Sequence, residues 1–156
     1  VFAGSWEEAS KERHMSTVIT RYKGDRLFEA EAGSHRMQVD VTASMGGRGR
    51  APTPTEMFAA GLGSCVAAFV VFYCERMQLD SRGIEVAVTF EQHASTDRIT
   101  AIHTSIKVPR ADTSLYEGAL LGAAEHCPIK ETIKAHTPIT FSLEGAAEAS
   151  SSRSEP

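Results

Sequence analysis

The stretch "TPTEMFAAGLGSCVAAFVVFYC" (residues 53–74) decides the fold. It opens as helices open: Thr53 can cap, Pro54 suits the first helical position, and Glu56, three residues after Thr53, completes a capping box. From Met57 to Cys74 there is no charge, and the pattern predicts one helix reaching about Met77. Such a run approaches membrane-spanning length. Its many Ala, Gly and Ser residues contribute little transfer energy, and the aromatic and basic flanks of a span are missing. A helix apolar all round also suits a protein core. One small domain has little material to surround it, so the expectation is a buried central helix completed by a second copy of the chain.

The flanking segments read as sheet. On the N-terminal side, "STVITRYK" (16–23) and "RLFEAEA" (26–32) flank a Gly24–Asp25 turn, and "RMQVDVT" (36–42) alternates apolar and polar residues as a third strand. A loop rich in Gly, Arg and Pro, "ASMGGRGRAP" (43–52), leads into the helix. On the C-terminal side, 83–92 and 98–109 predict a second hairpin. Helices are expected at 112–126, capped by Asp112 or Thr113, and at 128–136, with a closing strand "PITFSL" at 138–143. The order β-β-β-α-β-β-α-α-β is an α+β fold, with antiparallel sheets packed around the central helix.

One domain is expected over 15–144. Residues 1–14 have no clear period and end at His14–Met15, as a native extension or a cloning-derived segment would. Residues 145–156, small, polar and Ser-rich, read as a disordered tail. A net charge of −4 argues against a nucleic-acid partner, and "GGRGR" (46–50) is too short to reverse that. The three cysteines include no C-x-x-C pair and the six histidines no ligand pattern, so neither a metal nor another cofactor is expected. The odd cysteine count and lack of a secretory signal point to the cytoplasm.

The thiols carry the functional question. Cys65 lies more than two turns into the helix, beyond the reach of its dipole, so a nearby cation would be needed to hold a thiolate. Cys74, nine residues on, falls on roughly the opposite face and suits core packing. Cys127 stands just before Pro128, where the chain must turn. It could attack an oxidised Cys65 if the fold brings their Cα atoms within about 7 Å. By composition alone, a Cys in an Ala-rich helix is more often an inert small hydrophobe.

"PTPTEMFAAGLGSCVAAF" (52–69), followed by "AAEHCPIKETI" (123–133), resembles the OsmC and organic hydroperoxide resistance family, and the element order is similar from about Thr17 to Leu143. The resemblance implies an intertwined homodimer with each active site at the subunit interface. It implies that Cys65 attacks the peroxide O–O bond and becomes a sulfenic acid. Cys127 then closes a disulfide, which an external dithiol of the lipoyl type reduces. It also implies an arginine, held by a glutamate, that activates Cys65. Here the sequence departs from the pattern: the glutamate slot after Pro54 is Thr55, and the acid comes one position later as Glu56. A step of ~100° along a helix redirects a side chain. Arg48 and Arg50 are the favoured arginines, with Arg26 and Arg36 as others. The expected function is a thiol peroxidase acting on alkyl or fatty-acid hydroperoxides in oxidative-stress defence. The alternative is a non-catalytic dimeric protein of the same fold that binds an apolar small molecule.

Overall fold

A computed structural model of the chain describes residues 16–143. The expected segments 1–14 and 145–156 lie outside the described residues. Strands β1 (Val18–Gly24), β2 (Leu27–Ala32) and β3 (His35–Asp40) form an antiparallel meander. Helix α1 (Pro54–Arg76) follows, then the antiparallel pair β4 (Glu85–Gln92) and β5 (Ile99–Lys107), and helices α2 (Glu117–Glu125) and α3 (Pro128–Lys134). This is the α+β order read from the sequence as far as α3, with a long central helix.

Helix α1 starts as its sequence requires. The Thr53 hydroxyl accepts from the Glu56 N–H at 3.3 Å, and the Glu56 carboxylate accepts from the Thr53 N–H at 2.7 Å. By length and composition α1 could cross a membrane. Within this chain it packs through one stripe, Ala59, Leu62, Gly63, Val66, Val70 and Cys74, against β4, α2 and α3. Gly63 lets the helix approach the sheet, because a Cβ there would stand 3.1 Å from Val88 Cγ2. The core continues into Leu120 and Cys127, with Ile84, Val86, Ile102 and Ile106 packed on it.

The other half of α1 is apolar and bare. Phe58, Ala60, Gly61, Ser64, Ala68 and Phe72 are exposed, Phe72 at 62%. The first sheet has a matching face. Register places Tyr22 beside Phe28 and Phe28 beside Val39, with Ala30 beside Met37 in the same apolar layer. Its opposite face carries the Arg21–Glu31 and Lys23–Glu29 pairs. The first sheet touches α1 only sparingly, through β3.

Three expectations are corrected. The first hairpin turns on Asp25 and Arg26, both at positive φ (55° and 65°), rather than on Gly24–Asp25. Helix α2 begins at Glu117 instead of 112, because the Asp112 carboxylate accepts the Ser114 N–H and Thr113 closes a separate turn with Tyr116. Residues 138–143 form no strand in the chain, since neither sheet offers them a ladder here.

Candidate functional site

Two of the three thiols are brought together. Cys65 projects from α1 at the border between its packed stripe and its bare half, and is half-buried. Cys127 is fully buried at the corner where α2 ends and α3 begins. The corner exists because Pro128 opens α3 at its first position, so Cys127 stays extended at φ −61°, ψ 118° and turns inward as the N-cap. Gly61, one turn before Cys65, leaves room for Ile129 Cδ1, which would lie 4.0 Å from a Cβ at that position. This packing seats α3 over the thiol. Cys65 then packs against the core cluster that contains Cys127, with Ile129 on the same cluster, and the Cys127 side chain and the Ile129 backbone lie near enough to influence its thiol. Both cysteines are free thiols.

Burial pushes the Cys65 thiol above the ordinary cysteine value, and the neighbouring Cys127 thiol adds to the rise. The Ile129 N–H works the other way, by hydrogen-bonding the charged form. Cys74 is fully buried in the core and raised chiefly by burial, in keeping with its place on the other side of α1. The arrangement can close a disulfide between Cys65 and Cys127. Within this chain it keeps Cys65 protonated.

The three remaining candidates lie at the N-terminal end of α1. Arg50 donates through Nε to Asp40 at 2.9 Å and through Nη1 to Asp25 at 3.0 Å. Arg48 is more exposed and pairs through Nη1 with Asp25 at 3.0 Å. Glu56 spends its carboxylate on the Thr53 N–H and hydroxyl, which hold it below its ordinary value. Arg48 and Glu56 line one open cleft of about 890 Å³ with Thr53, Met57 and Ala60. No hydrogen bond or ion pair joins Arg48, Arg50 or Glu56 to either thiol among the described residues.

Asp40 organises this end, and the sequence reading missed it. Fully buried at the end of β3, its carboxylate accepts from the Val41, Arg48 and Arg50 N–H groups at 2.9, 3.1 and 3.2 Å. The Arg50 guanidinium completes the set and, as the largest influence, holds the Asp40 carboxyl well below the usual carboxylate range. The ionised form is therefore favoured by folding. Its contribution is complete above the unfolded carboxyl value, about 4, and is lost as pH falls toward the depressed folded value. The expected outcome is a melting temperature that falls more steeply below about pH 4 in the wild type than in Asp40→Asn, which starts lower at neutral pH. Parallel melting curves of the two proteins from neutral to acid pH check it.

The family described as OsmC-like protein matches residues 46–142. No curated protein matches the chain in sequence. Among solved structures, it is similar to an osmotic stress induced and detoxification response protein from Psychrobacter arcticus 273-4. The TM-score is 0.69 at 22% identity, over 78% of this chain and 90% of that one. It is also similar to the organic hydroperoxide resistance protein OsmC from Legionella pneumophila, with TM-score 0.59 and 16% identity over 80% and 92% of the two chains. A third similar structure is the organic hydroperoxide resistance protein OhrB of Bacillus subtilis, with TM-score 0.53 and 20% identity over 76% and 90%. At these identities the structures share the fold.

Proposed function

The chain belongs to the OsmC-like family, and on that premise we propose that it is a two-cysteine thiol peroxidase that reduces organic hydroperoxides in the cytoplasm. The observation that carries this reading is the packing of Cys65 against the core cluster that holds Cys127, with both cysteines free thiols. The Cys65 thiolate attacks one peroxide oxygen as the O–O bond breaks. The other oxygen leaves as alkoxide and takes a proton to give the alcohol, while Cys65 becomes a sulfenic acid. Cys127 attacks that sulfur and water leaves, which forms the disulfide before further oxidation. A lipoyl-type dithiol returns both cysteines to thiols by exchange. The organic hydroperoxide resistance proteins of Legionella and Bacillus support the substrate class.

The thiolate needs a cation, and in this reading Arg48 supplies it, because Arg50 is engaged by both Asp40 and Asp25. Asp25, which pairs with Arg48, takes the arginine-holding role in place of Glu56. The working unit is a homodimer, since the bare half of α1 and the apolar face of the first sheet call for a second copy. The test is consumption of an alkyl hydroperoxide and of hydrogen peroxide with a dithiol reductant. Faster consumption of the alkyl peroxide is expected, and no consumption of either would overturn the reading. Cys127→Ser should complete one round of oxidation and stop, with a dimedone-trappable sulfenic acid on Cys65.

The lack, among the described residues, of any bond from Arg48 or Arg50 to either thiol favours a second reading, a dimeric carrier of an apolar ligand with silent thiols. Titration with a thiol reagent separates the two: Cys65 reacts readily at neutral pH in the peroxidase and stays inert in the carrier.

A further inference from the structure

We propose that the external dithiol attacks the Cys65 sulfur of the Cys65–Cys127 disulfide rather than the Cys127 sulfur, so that Cys127 is the leaving group and stays in the core throughout the cycle. The inference deepens the two-cysteine peroxidase reading and rests on it. Thiol–disulfide exchange depends on which sulfur can be reached, and the incoming thiolate approaches nearly in line with the bond that breaks. The two sulfurs of this pair differ on both counts.

Cys127 is 0% exposed and belongs to the buried cluster of Leu62, Val66, Val70, Cys74 and Leu120. Its backbone is tied on both sides. The Cys127 N–H donates to the Ala124 carbonyl at 3.2 Å, and its own carbonyl accepts the Glu131 N–H at 3.1 Å. Lys130 spans the corner between α2 and α3 through its pair with Glu125. To meet a thiolate from solvent, Cys127 would have to leave the cluster, and the first turn of α3 would have to open. In-line attack on its sulfur would come from the side away from Cys65, where a residue with no exposed surface offers no path.

Cys65 is half-buried and keeps a path to solvent. Its neighbours on the bare half of α1 are Gly61, Ser64 and Ala68, all exposed and none larger than serine. A thiolate arriving from that half lies roughly opposite Cys127 across the Cys65 sulfur, which is the in-line direction. The reductant sulfur bonds to Cys65 as the S–S bond breaks, and Cys127 leaves as a thiolate and takes a proton. The second thiol of the reductant then attacks the reductant's own first sulfur. Cys65 leaves as a thiolate, and the dithiol ends as a cyclic disulfide. Resolution of the sulfenic acid runs along the same line, because Cys127 displaces the oxygen toward the bare half of α1. The departing oxygen and the incoming sulfur thus occupy one position.

Trapping the mixed disulfide tests the assignment. Diamide should close the Cys65–Cys127 disulfide in the purified chain without any peroxide, as read by peptide mapping. Excess 2-mercaptoethanol, which has no second thiol to complete the cycle, is added for short times. Samples are quenched in acid and mapped by mass spectrometry. Extrapolated to zero time, the adduct should sit on Cys65 at least about tenfold more often than on Cys127, whose thiol is recovered free. Equal adducts, or more on Cys127, would overturn the inference while leaving the peroxidase reading in place. A disulfide that resists the thiol in the folded chain would overturn it as well. Failure of diamide to join Cys65 to Cys127 would remove both the inference and the reading beneath it.

Discussion

Cys65→Ser is expected to bring hydroperoxide reduction down to the uncatalysed background, a loss of more than about 1000-fold. The serine hydroxyl is scarcely ionised at neutral pH, and its oxygen cannot form the sulfenic acid that Cys127 attacks. Cys127 is fully buried and cannot meet the peroxide in place of Cys65. The melting temperature should barely move, since Cys65 is only half-buried and serine is nearly isosteric. Initial rates with an alkyl hydroperoxide, beside melting curves, make the comparison. Activity within tenfold of wild type would remove Cys65 from the mechanism. Equal losses in Cys74→Ser and Cys65→Ser would contradict the separation of the two faces of α1.

Gly47→Ala should carry the largest stability loss among the glycine variants. A Cβ at position 47 would fall 1.8 Å from the Val41 carbonyl oxygen and 2.6 Å from its carbon, and backbone has no rotamer by which to yield. The loop would have to move away from β3, where the Asp40 carboxylate receives the Arg48 and Arg50 N–H groups. The cost belongs at the upper end of the range for overpacking, about 3 kcal/mol. In a chain of this size that corresponds to a fall of roughly 6–12 °C in melting temperature. Gly118→Ala is the control, because a Cβ there meets nothing within 4 Å and a helical alanine is favoured by up to about 1 kcal/mol. Thermal unfolding of the two variants checks both signs. A Gly47→Ala protein as stable as wild type would show that the loop does not need its present course.

What the sequence disclosed depended on whether the signal was local. The capping box at Thr53 and Glu56 fixes the start of α1 within the first turn; a turn signal near Gly24 places β1 and β2, and period-two alternation places β3 to β5. Cys65 and Cys74 follow the ~100° step to separate faces. Residues 138–143 carry an equally clear alternation but make no strand in the chain, because a strand exists only with a neighbour. The start of α2 was misplaced because an Asp that caps a turn resembles one that caps a helix. Asp40 escaped notice for another reason. At the end of an alternating strand, a buried carboxylate and a solvated one have the same pattern, and only tertiary structure reveals the Arg50 guanidinium beside it. Neither could Arg48 be told from Arg50, since their spacing in a glycine-rich loop says nothing about which acid each one meets.

The Arg50 guanidinium, joined to Asp25 in the first hairpin and to Asp40 at the end of the third strand, works as a staple across distant parts of the chain. Small proteins often close such loops with a cystine, which loses its hold when reductants cut it. A protein whose thiols cycle between oxidised and reduced states would risk scrambling a cystine staple by exchange with them. An ionic one is blind to the redox state of its surroundings. Acid opens it; neither peroxide nor dithiol does. The tie that shapes the entrance to α1 is thus neither oxidised nor reduced in the reaction proposed farther along the same helix.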